Sequence, residues 1–379
     1  MTCRSVLPLL LLACGAPSRH TPAMAPTAAP ATAALAERAN AVRADASFEV
    51  ASEEVAFTAG GRTIGGTLAL PKAAGKWPAV LLLAGSGPTD RDWNNPLIAT
   101  RNGSGALLAT ELARHGAVVL RFDKAGSGKN PGPPLDQWTL DTYRDEAAAA
   151  LALLRARPEV RADRVFVAGH SEGGLHATRL AEVAQPPLAG VLYLASISRT
   201  MIDTTLAQIE AQLRNPIAGL SAREVEAELA SLRRALADFM AGQPVDPAQA
   251  SKLPPVQRLV AQLVNPATAK LSRPLLGFDN AAEAAKLPGP FLVLAAGKDV
   301  QVDPDLDARR LDEALRAAGR DVTLHLAADA DHVLKHEPRP LAEIRANPLA
   351  VQRGYNAEGR ALDASAVAAI VAWLAAHSR

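Results

Sequence analysis

The feature that most constrains the fold is a repeated alternation of short apolar runs with loops and helical stretches. The runs cover residues 80–83, 118–120, 165–168, 191–194, 291–294 and 322–326. Strands buried on both faces have this pattern, and their alternation with helices is typical of a parallel sheet covered on both sides. Only six runs occur and two of them are far apart, so we predict a doubly wound, mostly parallel α/β sheet rather than a barrel.

Two further segments complete the predicted domain. Residues 53–58 and 63–70, separated by Gly60-Gly61, indicate a hairpin that opens the folded core near residue 48. Residues 199–286 carry helical periodicity and no strand pattern, which predicts an inserted helical cap. The α/β core would then comprise residues 48–198 and 287–379. Where the cap overhangs the strand ends, it would form one wall of a substrate pocket.

The first fourteen residues have the length and charge of a signal peptide. Arg4 precedes a short apolar run that ends at Cys14, well short of the ~20 residues of a membrane span. The run into Cys14 resembles the bacterial lipobox, which implies an exported lipoprotein anchored to a membrane by a lipid on Cys14. The alternative is ordinary secretion as a soluble or periplasmic protein. Residues 15–47 are rich in Ala, Pro and Thr and are predicted to be a disordered tether.

Composition excludes several classes of partner. The chain has 40 Lys+Arg against 39 Asp+Glu, so no basic surface for nucleic acid is expected. Both cysteines, Cys3 and Cys14, lie in the leader, which leaves no cysteine-based metal site in the domain. A P-loop would need glycine at Asp123, and a dinucleotide-binding fingerprint would need glycine at Asp90. We therefore predict no nucleotide and no cofactor.

The strongest chemical motif is Gly169-His170-Ser171-Glu172-Gly173, which lies between an apolar run and a helical pattern. A tight strand-to-helix turn lifts the central serine out of the sheet, and the two glycines remove side chains that would clash there. The helix N-terminus then points at the serine hydroxyl. Ser171 is the predicted nucleophile.

The acid and base are expected at the ends of later strands, in the chain order Ser, Asp, His. Asp299 follows the fifth run and His332 follows the sixth. Asp303, Asp305 and Asp307 are alternatives to Asp299, but their position indicates acids at a helix start. His336 is the alternative to His332. The two histidines have zinc-like spacing, but Val333 stands where a metalloprotease helix needs Glu, so no metal is predicted.

A tetrahedral intermediate also needs two N–H donors. One is expected from the backbone of Glu172, and the other from the loop after the first central strand. In that loop we predict the N–H of Ser86, with Gly85 and Gly87 as possible replacements. The two aspartates within residues 90–92 are expected to brace this loop or to pair with its arginine.

These residues resemble the α/β-hydrolase family, and within it the bacterial serine esterases and the S33-peptidase-like hydrolases. The motifs that carry the resemblance lie at residues 85–92, 121–128, 169–174, 297–299 and 331–332. The family usually has His at the position of Ala84 and Arg at the position of Ala125, but backbone donation does not depend on either side chain. The resemblance implies hydrolysis of carboxylic esters without a cofactor.

The leading hypothesis is a lipid-anchored serine carboxylesterase that acts on a small-molecule ester through an acyl-enzyme on Ser171. An aminopeptidase and a thioesterase remain alternatives, because the same triad cleaves amides and thioesters. Glu172 or Glu210 would bind the amine of an aminopeptidase substrate. A non-catalytic surface binding protein is a more distant alternative. The aliphatic stripes of the cap predict a pocket for short or medium acyl chains.

Overall fold

The computed structural model describes residues 40–96 and 100–379, and its centre is one eight-stranded sheet. The strands are β1 Val50–Ala59, β2 Arg62–Pro71, β3 Trp77–Leu83, β4 Val118–Phe122, β5 Val160–His170, β6 Gly190–Leu194, β7 Phe291–Ala296 and β8 Val322–Ala327. Their order is β1-β2-β4-β3-β5-β6-β7-β8. β1 and β2 form the predicted hairpin, β2 pairs antiparallel with β4, and all other neighbours are parallel.

All six apolar runs lie within strands, and helices cover both faces of the sheet. The helices are α1 Ser104–Arg114, α2 Leu140–Ala156, α3 Gly173–Val183, α4 Met201–Arg214, α5 Ala222–Met240, α6 Pro247–Ala250, α7 Pro254–Leu263, α8 Ala269–Gly277, α9 Asn280–Ala284, α10 Arg309–Ala317, α11 Leu341–Ala346, α12 Pro348–Gly354 and α13 Ala364–His377. α1 and α13 pack on one face, and α2, α3, α9 and α10 pack on the other. The predicted doubly wound fold is confirmed.

β3 illustrates why the runs are apolar without interruption. Successive side chains of a strand point to opposite faces. Leu81 and Leu83 enter the cluster beneath α2 and α3, whereas Val80 and Leu82 enter the cluster beneath α1 and α13. Because both faces are covered, every position of the strand is buried. The carboxyl ends of the parallel strands meet at one edge of the sheet, where the candidate site lies.

The segment between β6 and β7 is helical among the described residues, and α4 to α8 share an apolar cluster that also takes in Trp138, Tyr143 and Leu175 of the core. α9 differs from these helices, since Ala281 and Ala284 pack in the core cluster on the sheet. The predicted cap limit at residue 286 is therefore too late, because an amphipathic pattern does not reveal which neighbour a helix packs against. The cap is defined below as residues 199–279.

Both ends of the cap are tied to the segment that leads into α10. At the entrance, the buried carboxylate of Asp307 accepts hydrogen bonds from the Ser198 N–H and from Arg199, whose guanidinium lies 2.7 Å away. At the exit, Arg310 donates to Asp279 at 2.6 Å and also to the carbonyl of Ser198. One helix start thus holds both connections between the cap and the core.

Residues 40–48 pack at the edge of the sheet opposite the strand carboxyl ends. Val42 and Ala46 are buried, and the Val42 N–H donates to the Ser378 hydroxyl. The Asn40 N–H donates to the Lys76 carbonyl, just before β3 begins. Residues 40–47 are therefore part of the packed domain and not of the predicted tether. The predicted signal peptide with Cys14, and the tether as far as residue 39, lie outside the described residues.

Within residues 40–96 and 100–379, no helix is both long and apolar enough to cross a bilayer.

Candidate active site

Ser171 occupies the sharp turn between β5 and α3 with a backbone φ of 56°. A non-glycine residue in this left-handed region is strained and needs its surroundings to hold it. The flanking glycines explain why the turn fits. A Cβ at Gly169 would lie 2.2 Å from the Gly173 carbonyl oxygen, and one at Gly173 would lie 2.4 Å from the Leu83 carbonyl oxygen. The motif is therefore a steric requirement of this turn.

Asp299 and His332 come together at the ends of two neighbouring strands. Asp299 follows β7, His332 follows β8, and the His332 Nδ1 lies 2.7 Å from the Asp299 Oδ2. The other carboxylate oxygen of Asp299 accepts the N–H groups of Gln301 and Val302 at 2.7 and 2.9 Å. The carboxylate is thus fixed in the loop, and it orients the imidazole so that Nε2 is the ring atom left for chemistry.

Two residues that sequence reasoning did not assign hold the His332 loop. The carboxylate of Asp331 accepts the N–H groups of Val333 and Lys335, each at 3.0 Å, and pairs with Arg360. The His170 Nε2 lies 2.7 Å from the His332 carbonyl oxygen. Burial and the neighbouring His332 lower the pKa of His170 to about 3, so His170 is neutral and Nε2 is the donor. The ring of His170 also stacks on Trp93, 4.4 Å away.

The alternative acids have other roles. Asp303 accepts the N–H groups of Asp305 and Leu306 at the helix start, as predicted, and Asp305 pairs with Arg309 on the surface. Asp307 is more than the predicted acid at a helix start, because it is completely buried and forms an ion pair with Arg199. A long-range partner of this kind leaves no mark on the local sequence.

The alternative base, His336, lies outside the site. Its side chain is 53% exposed and its Nδ1 lies 3.4 Å from Asp363. Residues 331–336 form a loop in which Leu334 has a φ of 62°, so His332 and His336 do not share a helix face. Among the described residues, no three His, Cys, Asp or Glu side chains are grouped as a metal site requires.

The loop after β3 and the start of α3 contribute the candidate N–H donors. Among the backbone hydrogen bonds of the described residues, none uses the N–H of Ser86 or of Glu172 as donor. The loop is held from behind, since the Thr89 hydroxyl donates to the Ser86 carbonyl at 2.7 Å and the Lys124 ammonium donates to the Gly87 carbonyl. A Cβ at Gly85 would lie 3.1 Å from the Ser171 Cβ, which measures how closely this loop approaches the serine.

The two loop aspartates are structural. Asp90 accepts the N–H groups of Asp92 and Asn94, each at 2.9 Å, and so braces the loop as predicted. Asp92 pairs with Arg121 at 2.7 Å and not with Arg91, whose guanidinium instead binds Asp123.

The side chains of Glu172 and Glu210 are both paired with neighbouring basic residues. The Glu172 carboxylate is buried beside His176 at 3.2 Å. Burial would raise its pKa, but His176 and Lys124 together lower the pKa below its ordinary value, so the carboxylate is ionised. Glu210 pairs with Arg214 at 2.8 Å. Neither glutamate is among the residues that line the cleft described next.

A cleft of about 690 Å³, open mouth included, connects Ser171 with the cap. Its wall from the core consists of Ser86, Asn95, Ser171, Ile197 and Gln301, and its wall from the cap consists of Met201, Thr204, Thr205, Gln208, Ile209, Gln212, Leu259 and Leu263. Ser171 itself is only 6% exposed, so the nucleophile lies on the floor of the cleft beneath the cap. The lining mixes aliphatic side chains with amides and hydroxyls.

Comparison with known proteins agrees with this architecture. Residues 80–346, well over half of the chain, match the model of the Alpha/beta hydrolase family. The chain therefore belongs to the alpha/beta hydrolase family, as the sequence motifs predicted.

Individual relatives are more distant. Esterase EstD of Thermotoga maritima is 28% identical over 241 residues, which cover 62% of this chain and 50% of the relative. The chain thus spans about half the length of that curated relative. An esterase of Pyrococcus furiosus is 18% identical with a TM-score of 0.47, over 76% of this chain and 84% of that one. A proline iminopeptidase of Mycobacterium smegmatis is also 18% identical with a TM-score of 0.47, over 86% and 99%.

Proposed function

We propose that this chain is a serine hydrolase that cleaves carboxylic esters through an acyl-enzyme on Ser171. The observation that carries the proposal is the Asp299–His332 hydrogen bond at the same sheet edge as the left-handed Ser171. The ring of His332 packs 4.8 Å from the ring of His170, the residue that precedes Ser171. Membership of the hydrolase family and the likeness to an esterase further support it.

In the first half-reaction, the Ser171 Oγ attacks the ester carbonyl carbon and its proton passes to the His332 Nε2. Asp299 stabilises the imidazolium that forms. The N–H groups of Ser86 and Glu172 donate to the oxyanion of the tetrahedral intermediate. When the intermediate collapses, the alcohol leaves with the proton from His332. Water then attacks the acyl-enzyme with His332 again as base, which releases the acid and restores Ser171.

Among the alternatives, an aminopeptidase needs an acidic group to bind the amine of its substrate. The cleft lining contains no carboxylate among the described residues, and the two glutamates proposed for that role are paired elsewhere. This argues for an ester rather than a free amino-acid amide. A thioester remains chemically equivalent for the triad, so it belongs in the test.

The test is covalent labelling by a fluorophosphonate, followed by turnover of matched ester, thioester and aminoacyl-amide substrates. We expect labelling and ester hydrolysis by the wild type, and a loss of about 10⁴ to 10⁶ in rate with no labelling for Ser171→Ala. Ser365→Ala, on the exposed start of α13, is the control and should be labelled normally. Near-native turnover by Ser171→Ala would rule out the serine mechanism, and preferential cleavage of the aminoacyl amide would replace the ester assignment.

A further inference from the structure

The cap helix α4 presents a polar but uncharged face to the cleft. The residues of α4 that line the cleft recur every three or four positions and therefore form one side of the helix. They are Met201, Thr204, Thr205, Gln208, Ile209 and Gln212. Most of the side chains on this face carry a hydroxyl or an amide. A wall that binds only an alkyl chain would instead be aliphatic.

Two polar atoms of this face have no partner in the described chain. The Thr204 hydroxyl oxygen and the Gln212 Oε1 are buried and form no hydrogen bond with the described residues. Thr204 as a whole is 1% exposed. A helical threonine ordinarily bonds the carbonyl four residues earlier. Thr110 and Thr178 both do so, at 2.9 and 3.2 Å. Thr204 does not, so its hydroxyl has no hydrogen bond within the described chain, although Thr204 belongs to the lining of the cleft.

Gln208 lies between these residues and serves as an internal comparison. Its Nε2 donates to the Gln301 carbonyl at 2.8 Å, which joins α4 to the loop that carries Asp299. The amide of Gln208 therefore supports the architecture of the site. The polar atoms of Thr204 and Gln212 have no such structural use.

The character of the cleft restricts what can pair with these atoms. No Asp, Glu, Lys or Arg is among its described lining residues, so a charged group of a substrate would lose water without gaining a counter-ion. An amide or hydroxyl exchanges its hydrogen bonds to water for bonds to the protein. A polar group that reaches the Thr204 hydroxyl or the Gln212 Oε1 supplies the hydrogen bond that this atom lacks, whereas an alkyl chain leaves it unsatisfied, a difference of about tenfold in affinity for each.

The spacing of the two residues restricts the length. They are eight positions apart, and a helix rises about 1.5 Å per residue, so they lie about 12 Å apart along α4. One small polar group cannot reach both. A chain that bonds both must extend along the helix with polar groups at separate positions.

We propose that Thr204 and Gln212 are specificity-determining residues for an elongated, uncharged ester that carries amide or hydroxyl groups along its chain. The proposal rests on Ser171 as the esterase nucleophile. It replaces the expected pocket for plain aliphatic acyl groups, because the apolar stripe of α4 that includes Leu213 packs in the cap interior, whereas the polar side faces the cleft.

The test compares esters of equal shape and different polarity. The p-nitrophenyl esters of ω-acetamido acids, from short to long chains, are each matched with a methyl-branched alkanoate in which CH₂ replaces N–H and CH₃ replaces the carbonyl oxygen. An equivalent acetate series carries the amide on the alcohol side. The measured quantity is the ratio of kcat/KM for the amide over its alkyl isostere.

We expect this ratio to peak at particular chain lengths in the wild type. Thr204→Val and Gln212→Leu should each lower the ratio at its own chain length by about tenfold, since each removes one partner for the amide. Thr204→Ser restores the hydroxyl and should restore the ratio. Thr110→Val is the matched control, because it removes a hydroxyl that is satisfied within α1. Thermal unfolding of each variant verifies that it is folded.

An amide-to-alkyl ratio that is the same in the wild type, Thr204→Val and Gln212→Leu, in both series, would overturn the inference. If the wild type is still labelled by the fluorophosphonate and still hydrolyses the alkyl esters, the proposed function survives that result. If the wild type is neither labelled nor active on any ester, the proposed function fails and the inference fails with it.

Discussion

At the scale of single residues, the buried imidazole of His170 connects the stability of the site to pH. Its pKa is lowered to about 3 in the folded chain, whereas the ordinary value for histidine is about 6.5. Between these two values the unfolded chain binds a proton that the folded chain does not. The folded state is therefore favoured above about pH 6.5, and its stability falls as the pH drops below that value.

We expect His170→Gln to make the acid side of the stability curve shallower. A glutamine Nε2 can still donate to the His332 carbonyl, but it cannot take up a proton. Between about pH 4 and 6 the unfolding free energy of the wild type should fall more steeply than that of the variant, by about 1.4 kcal/mol per pH unit. Urea unfolding at several pH values measures this difference, in which the titrating groups that are not coupled to His170 cancel. Parallel curves would contradict it.

The triad gives a second prediction at this scale. Asp299→Asn and His332→Ala should each reduce kcat by about 10⁴ or more, because the asparagine cannot fix the imidazole and the alanine cannot accept the proton. The nearby Asp303→Asn and His336→Ala are the matched controls. Asp303 only caps a helix and His336 is largely exposed, so their effects on kcat should be small. If Asp303→Asn or His336→Ala instead abolished kcat, the acid or the base would have been assigned to the wrong residue, one turn away in the loop.

At the scale of elements, the buried Asp307 fastens the cap to the start of α10. Asp307→Ala leaves Arg199 without its partner and the Ser198 N–H without its acceptor, so we expect a loss of about 3–5 kcal/mol in the unfolding free energy. Asp305→Ala is the control, since its ion pair with Arg309 is on the surface and should contribute less than about 1 kcal/mol. Urea unfolding of both variants measures the two losses in unfolding free energy. Equal losses would contradict the conclusion that Asp307 specifically fastens the cap to α10.

The strands and the elbow could be predicted because each follows from a local physical constraint. A strand buried on both faces must be apolar at every position, and the turn at Ser171 admits only glycine at positions 169 and 173. Asp299 and His332 followed from strand ends and chain order, and the structure brings them within 2.7 Å. These features need no knowledge of distant contacts.

Other features depend on contacts that the local sequence does not contain. The pairing of Asp307 with Arg199 joins residues more than a hundred positions apart. Thr204 and Gln212 stand at helical spacing in the sequence, but periodicity does not reveal which side of a cap helix faces the cleft. Residues 40–47 follow an Ala- and Pro-rich segment, yet Val42 and Ala46 are buried, because they fill a site on the folded domain.

At the scale of the whole molecule, the N-terminal cysteine gives a prediction about location. We expect the wild type to fractionate with membranes, and Cys14→Ser to release it or to block its processing, because a lipobox cysteine carries the lipid. Cys3→Ser, which changes the other cysteine of the leader, is the matched control and should leave fractionation unchanged. A soluble wild type with an unmodified N-terminus would refute the lipid anchor.

The packing of residues 40–48 also determines on which side of the candidate site the described domain begins. Asn40 and Val42 are fixed at the amino ends of the central strands, by Lys76 and Ser378, whereas Ser171 lies at the carboxyl ends. Residue 40 therefore lies on the side of the domain opposite Ser171. A bead or a fused partner attached directly at residue 40 would meet the back of the molecule, and the entrance to the cleft would stay open to substrate arriving from solution.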